Sequence, residues 1–329
     1  MKVTVLGAGS WGTTVASIAA RQNPTLLWAR SQETADEIST ERTNDKYLDG
    51  FKLPKRLDAT ADLEQAVSAA DVLVVGIPSS SFRQVLTDAA PFVRPWIPVV
   101  SLTKGFELET NLRMTEVVGD VLPGHPAVAL TGPNLAREIM AKQAAAAVMA
   151  TEDISVAARL QEMFSTPFFR VYRNHDVIGC ELGGALKNVI AIATGMADGL
   201  GVGDNTKAMV MTRGLAELSR LGTAMGGEPA TFAGLAGMGD LIATCVSPHS
   251  RNRHVGEQLG KGKSLQQILD EMHMVAEGVR TANTVAQLAE QHDVSLPVCA
   301  AIHGVVEGSI KPQHAYLGLM PAGHEADAG

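Results

Sequence analysis

One short stretch constrains this chain more than any other. Gly7-Ala8-Gly9-Ser10-Trp11-Gly12 reads G-x-G-x-x-G. The motif is weak alone and gains meaning from its neighbours. Residues 2–6 are a short β-branched run, and residues 10–21 have helical composition. A strand that turns tightly into a helix is the context in which three glycines serve distinct ends. Gly7 permits the turn, Gly9 lets the backbone approach a pyrophosphate, and Gly12 lets the helix pack on the strand. The helix N-terminus then offers unpaired N–H groups and partial positive charge to the anion. A dinucleotide site on a parallel sheet is the expectation.

The end of the second strand sets which dinucleotide. An acidic residue there suits a free ribose hydroxyl, and an arginine suits a 2′-phosphate. The sequence has Ala29-Arg30-Ser31, with Glu33 beyond the strand end. NADP(H) is therefore favoured, with NAD(H) as the alternative. The bland reading of Arg30 is a solvated surface charge.

The alternation continues. Apolar runs at 25–29, 72–77, 98–102, 127–131, 144–150 and 168–172 are separated by helical segments such as 31–41. Apolar strands separated by helices mark a parallel sheet covered on both faces. From about Asp176 the β-branched runs thin out, and residues 206–221, 264–272 and 281–292 read as helices. Glycine-rich turns at 199–203 and 237–239 are expected to divide them. The fold class expected is α/β, an N-terminal Rossmann-like doubly wound sheet over residues 1–175 with a C-terminal all-helical domain over 176–329.

The helical half carries its own chemistry. Lys187-Asn188 lies in an otherwise apolar segment, after Gly183-Gly184-Ala185-Leu186. A lysine there is costly unless it faces a polar partner or cavity. Gly183 and Gly184 share its helical face, which suggests room for a ligand beside it. Such a lysine can protonate a developing alkoxide; the alternative is a lysine snorkelling from a core helix. Further on, Ser250-Arg251-Asn252-Arg253 offers two guanidinium forks with small polar groups, a candidate grip on phosphate oxygens. An ordinary helix N-cap is the competing reading. Asp240 is a candidate orienting carboxylate, and Lys104 follows a strand's carboxyl end, where open α/β sheets bind ligands.

Composition excludes other classes. Lys plus Arg number 27 against 35 Asp plus Glu, a formal charge of −8. That argues against a nucleic-acid binder and against adsorption to anionic membranes. Apolar residues at 46% and charged residues at 19% describe a globular chain. No apolar run approaches the roughly 20 residues needed to span a bilayer, and no membrane insertion is expected. Residues 1–6 lack a signal peptide's apolar core. Cys180, Cys245 and Cys299 have no disulfide or zinc spacing, and His249 and His254 lack further ligands, so no metal is expected. A reducing cytoplasm is the simplest compartment.

These stretches together resemble NAD(P)-dependent glycerol-3-phosphate dehydrogenase of the bacterial soluble type, to about residue 310. The stretches Leu102-Thr103-Lys104-Gly105, Thr131-Gly132-Pro133, Thr212-Arg213-Gly214-Leu215, Ala236-Gly237-Met238-Gly239-Asp240-Leu241, Ser250-Arg251-Asn252 and Glu277-Gly278 join the glycine loop and the Lys-Asn helix in carrying it. The resemblance implies that Lys187 is the proton donor and acceptor. It implies that Lys104, Gly132, Asn134, Asp240, Ser250, Arg251 and Asn252 contact the substrate. Gly7, Gly9, Ser10, Trp11, Gly12, Arg30, Lys104, Ala136, Arg251, Val275 and Glu277 then hold the cofactor. Asn134 departs from the family, where a hydroxyl residue followed by an aromatic is common.

The reaction implied is reversible reduction of dihydroxyacetone phosphate to sn-glycerol 3-phosphate, feeding glycerophospholipid synthesis, by a homodimer. The alternatives are another hydroxyacid dehydrogenase of the same superfamily, which needs no Ser250-Arg251-Asn252, and a non-catalytic NADP(H)-sensing protein. The enzyme reading makes a spatial demand. Lys187, Arg251 and Arg253, with Lys104 from the first domain, should form one positive pocket on an acidic protein.

Overall fold

The structure is a computed structural model, and it describes residues 1–272 and 276–317. The chain divides into two compact units, residues 1–177 and the remainder from 178. In the first unit the chain runs β1 (Val3–Leu6), α1 (Ser10–Ala19), β2 (Thr25–Trp28), α2 (Gln32–Asp36), α3 (Asp45–Leu48), β3 (Leu57–Thr60), α4 (Leu63–Ser68), β4 (Val72–Val75) and α5 (Ser79–Ala89). It continues through β5 (Val99–Ser101), α6 (Met114–Val121), β6 (Ala127–Thr131), α7 (Ala136–Met140), β7 (Ala145–Ala150), α8 (Ile154–Phe164) and β8 (Phe169–Asn174).

The eight strands form one sheet in the order β3-β2-β1-β4-β5-β6-β7-β8. The chain winds outward from β1 to β3, then crosses back to β4 on the other side of β1, so strand order reverses between β1 and β4. In open α/β sheets ligands bind at that reversal, beyond the strands' carboxyl ends. Gly7 follows β1 and Gly76 follows β4, both at the reversal. Two apolar clusters cover the two faces. One includes Val15, Leu27, Val74 and Phe169, the other Leu73, Phe82, Leu86 and Met114. The strand β4, Val-Leu-Val-Val, is buried at every position, which is why it lacks alternation.

Two strand expectations need correction. The sheet is parallel except between β6 and β7. The strand β7 runs back antiparallel beside β6, with Ala129 opposite Ala150 and Thr131 opposite Val148. The edge strand β3, Leu-Asp-Ala-Thr, is too short and polar to be visible in the sequence, yet pairs in register with β2.

The second unit is helical: α9 (Val177–Leu200), α10 (Asp204–Ala224), α11 (Pro229–Phe232), α12 (Asp240–Val246), α13 (Arg251–Gly260), α14 (Leu265–Glu271), α15 (Glu277–Gln291), α16 (Pro297–Val306) and α17 (Pro312–Leu317). The helix α9 is, by length and composition, long and apolar enough to cross a membrane, contrary to the expectation that no segment is. Most of it is buried inside the protein, so it is the core helix of this unit. Residues 235–239 do not divide helices as a turn would. They wind as one wide helical turn directly into α12.

Small residues set the packing of α9. A Cβ at Gly195 or Gly199 would run into the α13 backbone at Arg253 and Glu257, and one at Gly256 or Gly260 would run into α9 at Ile192 and Met196. Each pair is spaced i, i+4, so the two helices share a seam of bare backbone. That seam brings the start of α13 beside the middle of α9.

Candidate active site

The first unit builds its site mainly from backbone. Gly7 has φ +109°, and a Cβ there would lie 2.5 Å from the Gly76 carbonyl oxygen. A Cβ on Gly12 would strike the Gly7 carbonyl oxygen. These two glycines make the tight turn and the close helix–strand contact. Gly9 differs: it caps α1 at φ −74°, ψ 176°, a conformation open to other residues, and a Cβ there meets nothing within 4 Å. The middle glycine therefore leaves open space above an N-terminus with no side-chain cap, which fits a pyrophosphate.

Ser10, Trp11 and Gly12 form the first turn of α1. The Trp11 ring meets Phe169 edge-on, with centroids 6.3 Å apart, and its buried Nε1 has no partner among the described residues. Asn44, fully buried at the start of α3, escaped the sequence reading. Its Nδ2 donates to the Ala8 carbonyl and to Thr13 Oγ1, both at 2.9 Å, pinning the glycine loop from outside. Nothing in a lone loop asparagine signals this in advance. Arg30 is exposed just past β2, next to Ser31, whose hydroxyl caps α2.

Beyond β5, the Lys104 ammonium donates to the Gly132 carbonyl at 2.7 Å. Gly132 stands at φ +115° directly after β6, a conformation that favours glycine. Two residues on, both polar atoms of the Asn134 side chain are buried without a partner among the described residues. A buried amide left so is costly unless a ligand or water completes it. Ala136 opens α7.

The second unit builds its site from side chains. Lys187, near the middle of α9, is 4% exposed. Its Nζ lies 2.5 Å from Thr244 Oγ1, 3.2 Å from Asn188 Oδ1 and 3.3 Å from Asp240 Oδ1. The Thr244 hydroxyl donates to the Asp240 carbonyl at 2.7 Å, which turns its lone pairs to the lysine. Asp240 and Thr244 are one helical turn apart on α12, the i, i+4 spacing that would have found Thr244 from sequence. The lysine does not snorkel; the groups that hold it include one carboxylate and two neutral acceptors.

Glycines place these groups, though not as expected. A Cβ on Gly183 would lie 2.7 Å from the Ala236 carbonyl oxygen, and one on Gly237 would strike Phe232. Gly183 therefore admits the turn preceding α12, which carries Asp240 and Thr244, and leaves no space for a ligand.

The cluster at 250–253 divides. Ser250 caps α13, accepting from the Arg253 N–H at 3.2 Å. Arg251 is exposed in the first turn. Its guanidinium stays charged, with Glu277 as a nearby counter-charge. Asn252 is buried. It donates to Asn188 Oδ1 at 2.8 Å and accepts from the Gly278 N–H at 2.9 Å. Arg253 does not join an anion grip. Its guanidinium lies 2.6 Å from Asp198 and 3.8 Å from Glu257, because the α9–α13 seam presses it against acidic partners. Glu277, half-buried, opens α15. Val275 lies outside the described residues.

Comparison with known proteins identifies the family of the chain. The family described as NAD-dependent glycerol-3-phosphate dehydrogenase N-terminus matches residues 2–157, and its C-terminal counterpart matches residues 176–316. Glycerol-3-phosphate dehydrogenase [NAD(P)+] 2 from Sphingopyxis alaskensis is 56% identical, covering 100% of this chain and 99% of the relative. Glycerol-3-phosphate dehydrogenase [NAD(P)+] from Mycobacterium avium is 53% identical, covering 98% and 96%. The crystal structure of glycerol-3-phosphate dehydrogenase from Coxiella burnetii superposes with a TM-score of 0.92 at 35% identity, over 97% of this chain and 98% of that one. The chain belongs to the NAD-dependent glycerol-3-phosphate dehydrogenase family.

Proposed function

We propose that this protein reversibly reduces dihydroxyacetone phosphate to sn-glycerol 3-phosphate with NAD(P)H, and that Lys187 is its general acid and base. The observation that carries the lysine assignment is its burial among three acceptors on a chain of this family. A bound nicotinamide cofactor supplies a hydride to the ketone carbon in this direction and takes one in the reverse direction. As the ketone carbon becomes tetrahedral, negative charge gathers on its oxygen. Lys187 Nζ donates a proton to that oxygen and becomes a neutral amine, which solvent reprotonates. Asp240, Thr244 and Asn188 hold Nζ in place, so little reorganisation is needed during proton transfer. In the reverse direction the amine must be neutral first, so oxidation of glycerol 3-phosphate favours higher pH than reduction.

We assign the substrate phosphate to Arg251 and Ser250, with the second N–H of the Asn252 amide as a further donor. We assign Lys104, Gly132 and Asn134 to the substrate as well, the orphaned Asn134 amide supporting that role. The cofactor reading rests on Gly7, Gly9, Ser10, Trp11 and Gly12, with Ala136, Arg251 and Glu277 as further contacts. Exposed Arg30 supports a preference for NADP(H) through its 2′-phosphate. We place the enzyme in the cytoplasm, which suits three buried cysteines outside any disulfide, as a supplier of glycerophospholipid synthesis. A two-fold homodimer is the expected assembly.

The test compares NADPH oxidation with dihydroxyacetone phosphate and with dihydroxyacetone. The phosphorylated ketone should win by at least about a hundredfold in kcat/KM, as charge-assisted grips on an anion require. Arg251→Ala should remove most of that advantage through KM. Equal rates with the two ketones would end the phosphate assignment.

A further inference from the structure

The bonds around Asn252 run in one direction. The Gly278 N–H can only donate, so the Asn252 atom facing it, at 2.9 Å, must be the amide oxygen. That choice turns the Asn252 NH2 toward Asn188, 2.8 Å away, and whatever faces it on Asn188 must accept. The same Asn188 oxygen lies 3.2 Å from Lys187 Nζ. The node is tight: a Cβ on Gly278 would lie 2.7 Å from the Asn188 carbonyl oxygen and 2.9 Å from Asn252 Oδ1.

We propose that the Gly278 backbone N–H sets the orientation of two side-chain amides in series, so that Asn188 presents a fixed carbonyl to Lys187 and favours its ammonium form. Asn252 is then a positioning residue for the proton transfer, beyond any contact it makes with substrate. Gly278 follows Glu277 at the start of α15, so the order of that turn is transmitted to the lysine.

The physical point is what happens when Lys187 loses its proton. A neutral amine can accept a hydrogen bond, and an unrestrained Asn188 would rotate its NH2 toward it. Asn252 forbids that rotation, because its own NH2 would then face another NH2. The string therefore penalises the neutral lysine and extends the pH range over which the acid stays loaded. Other titratable groups lie around this cluster. Asp240 on α12 is the anionic acceptor. Cys245, also on α12, has its thiol pushed up to about 11 by burial, so it stays neutral through the working range. Arg253 on α13 is engaged by Asp198.

This rests on Lys187 being the proton donor, and the experiment separates the two claims. Reductive kcat and KM are measured from pH 6 to 10.5 for the wild type, Asn252→Leu and Lys187→Ala. For Asn252→Leu the alkaline loss of kcat should begin about half a pH unit lower or more, the scale of one weakened hydrogen bond to a charge. Its kcat at neutral pH should fall several-fold. A profile that stays in place while KM alone rises would overturn the string and leave Asn252 a substrate contact. Full activity of Lys187→Ala would instead overturn the lysine reading itself.

Should Asn252→Leu fail to fold, the wild type suffices. The side-chain amide NMR signals of Asn188 and Asn252 should both move with the midpoint at which reduction loses activity. An Asn252 signal indifferent to that titration would overturn the proposal.

Discussion

The two units build their sites from different materials. In the first, the glycine loop offers backbone: Gly7 and Gly12 are packed against carbonyl oxygens, and Gly9 opens to empty space. In the second, Lys187, Asn188, Asp240, Thr244 and Asn252 meet from three helices. A backbone site needs a local conformation, and six consecutive residues can specify that. A side-chain site needs helix packing, which depends on residues far from the ones that react. The first should be sensitive to added atoms, the second to removed ones.

The largest effect should come from the side-chain site. Lys187→Ala removes the proposed proton donor, and general acid catalysis contributes typically about 10²–10⁴-fold. We expect kcat for reduction to drop about a thousandfold. Cofactor affinity, measured by fluorescence titration of NADPH, should change little, since the loop is untouched. The variant also removes a cation from beside the buried Asp240, so its stability should fall as well. Retained turnover would dissolve the contrast, leaving the lysine a structural ion pair.

The backbone site is tested by adding one methyl group at two positions. Gly12→Ala puts a Cβ onto the Gly7 carbonyl oxygen, and neither can yield without moving β1 from α1. Overpacking of this kind costs typically about 1–3 kcal/mol. Gly9→Ala puts its methyl in open space at an ordinary φ. Its melting temperature should match the wild type, while affinity for NADPH falls at least about tenfold because the space above α1 is filled. If Gly9→Ala destabilised the fold as much as Gly12→Ala, the middle glycine would be structural and the cradle reading would go.

This contrast also explains what could be read in advance. The glycine loop was legible because turn, close approach and helix start are encoded by adjacent residues. The strands with continuous apolar runs were legible too, as at β4. The edge strand β3 was not, since a half-exposed Leu-Asp-Ala-Thr gains its conformation from pairing with β2. In the second unit the chemistry-bearing residues stood out by type, but their partners did not. Arg253 and Arg251 look alike in sequence; only the α9–α13 seam gives one of them to Asp198. Gly183 read as room for a ligand, and a neighbouring carbonyl fills that room. Asn44 and the Gly278–Asn252 contact join positions separated by dozens of residues, which no local pattern encodes.

The smallest effect contrasts two carboxylates, one in each unit. Glu107 lies 2.6 and 2.9 Å from the two nitrogens of the Arg83 fork. That pairing holds its carboxyl below the usual value of 4.5. Glu217, on α10, is buried and accepts from the N–H groups of Val298 and Cys299 at 2.7 and 3.0 Å, at the start of α16. Burial nevertheless raises its carboxyl above 4.5, the two N–H groups offsetting only part. For the lowered group, stability is present above 4.5 and is lost as pH falls through the folded value. For the raised group, the folded state binds the proton more tightly, so stability is lost as pH rises from 4.5 through the folded value. The destabilisation caused by Glu107→Gln should therefore grow from pH 4 to pH 7. The destabilisation caused by Glu217→Gln, which also forfeits one of the two side-chain acceptors for the backbone N–H groups, should shrink over the same interval. Denaturant unfolding of both variants against the wild type at several pH values reads the two slopes. Slopes of the same sign would show that the α10–α16 contact, like the Arg83–Glu107 pair, is held by net charge attraction, and not by a desolvated carboxylate that two backbone donors only partly satisfy.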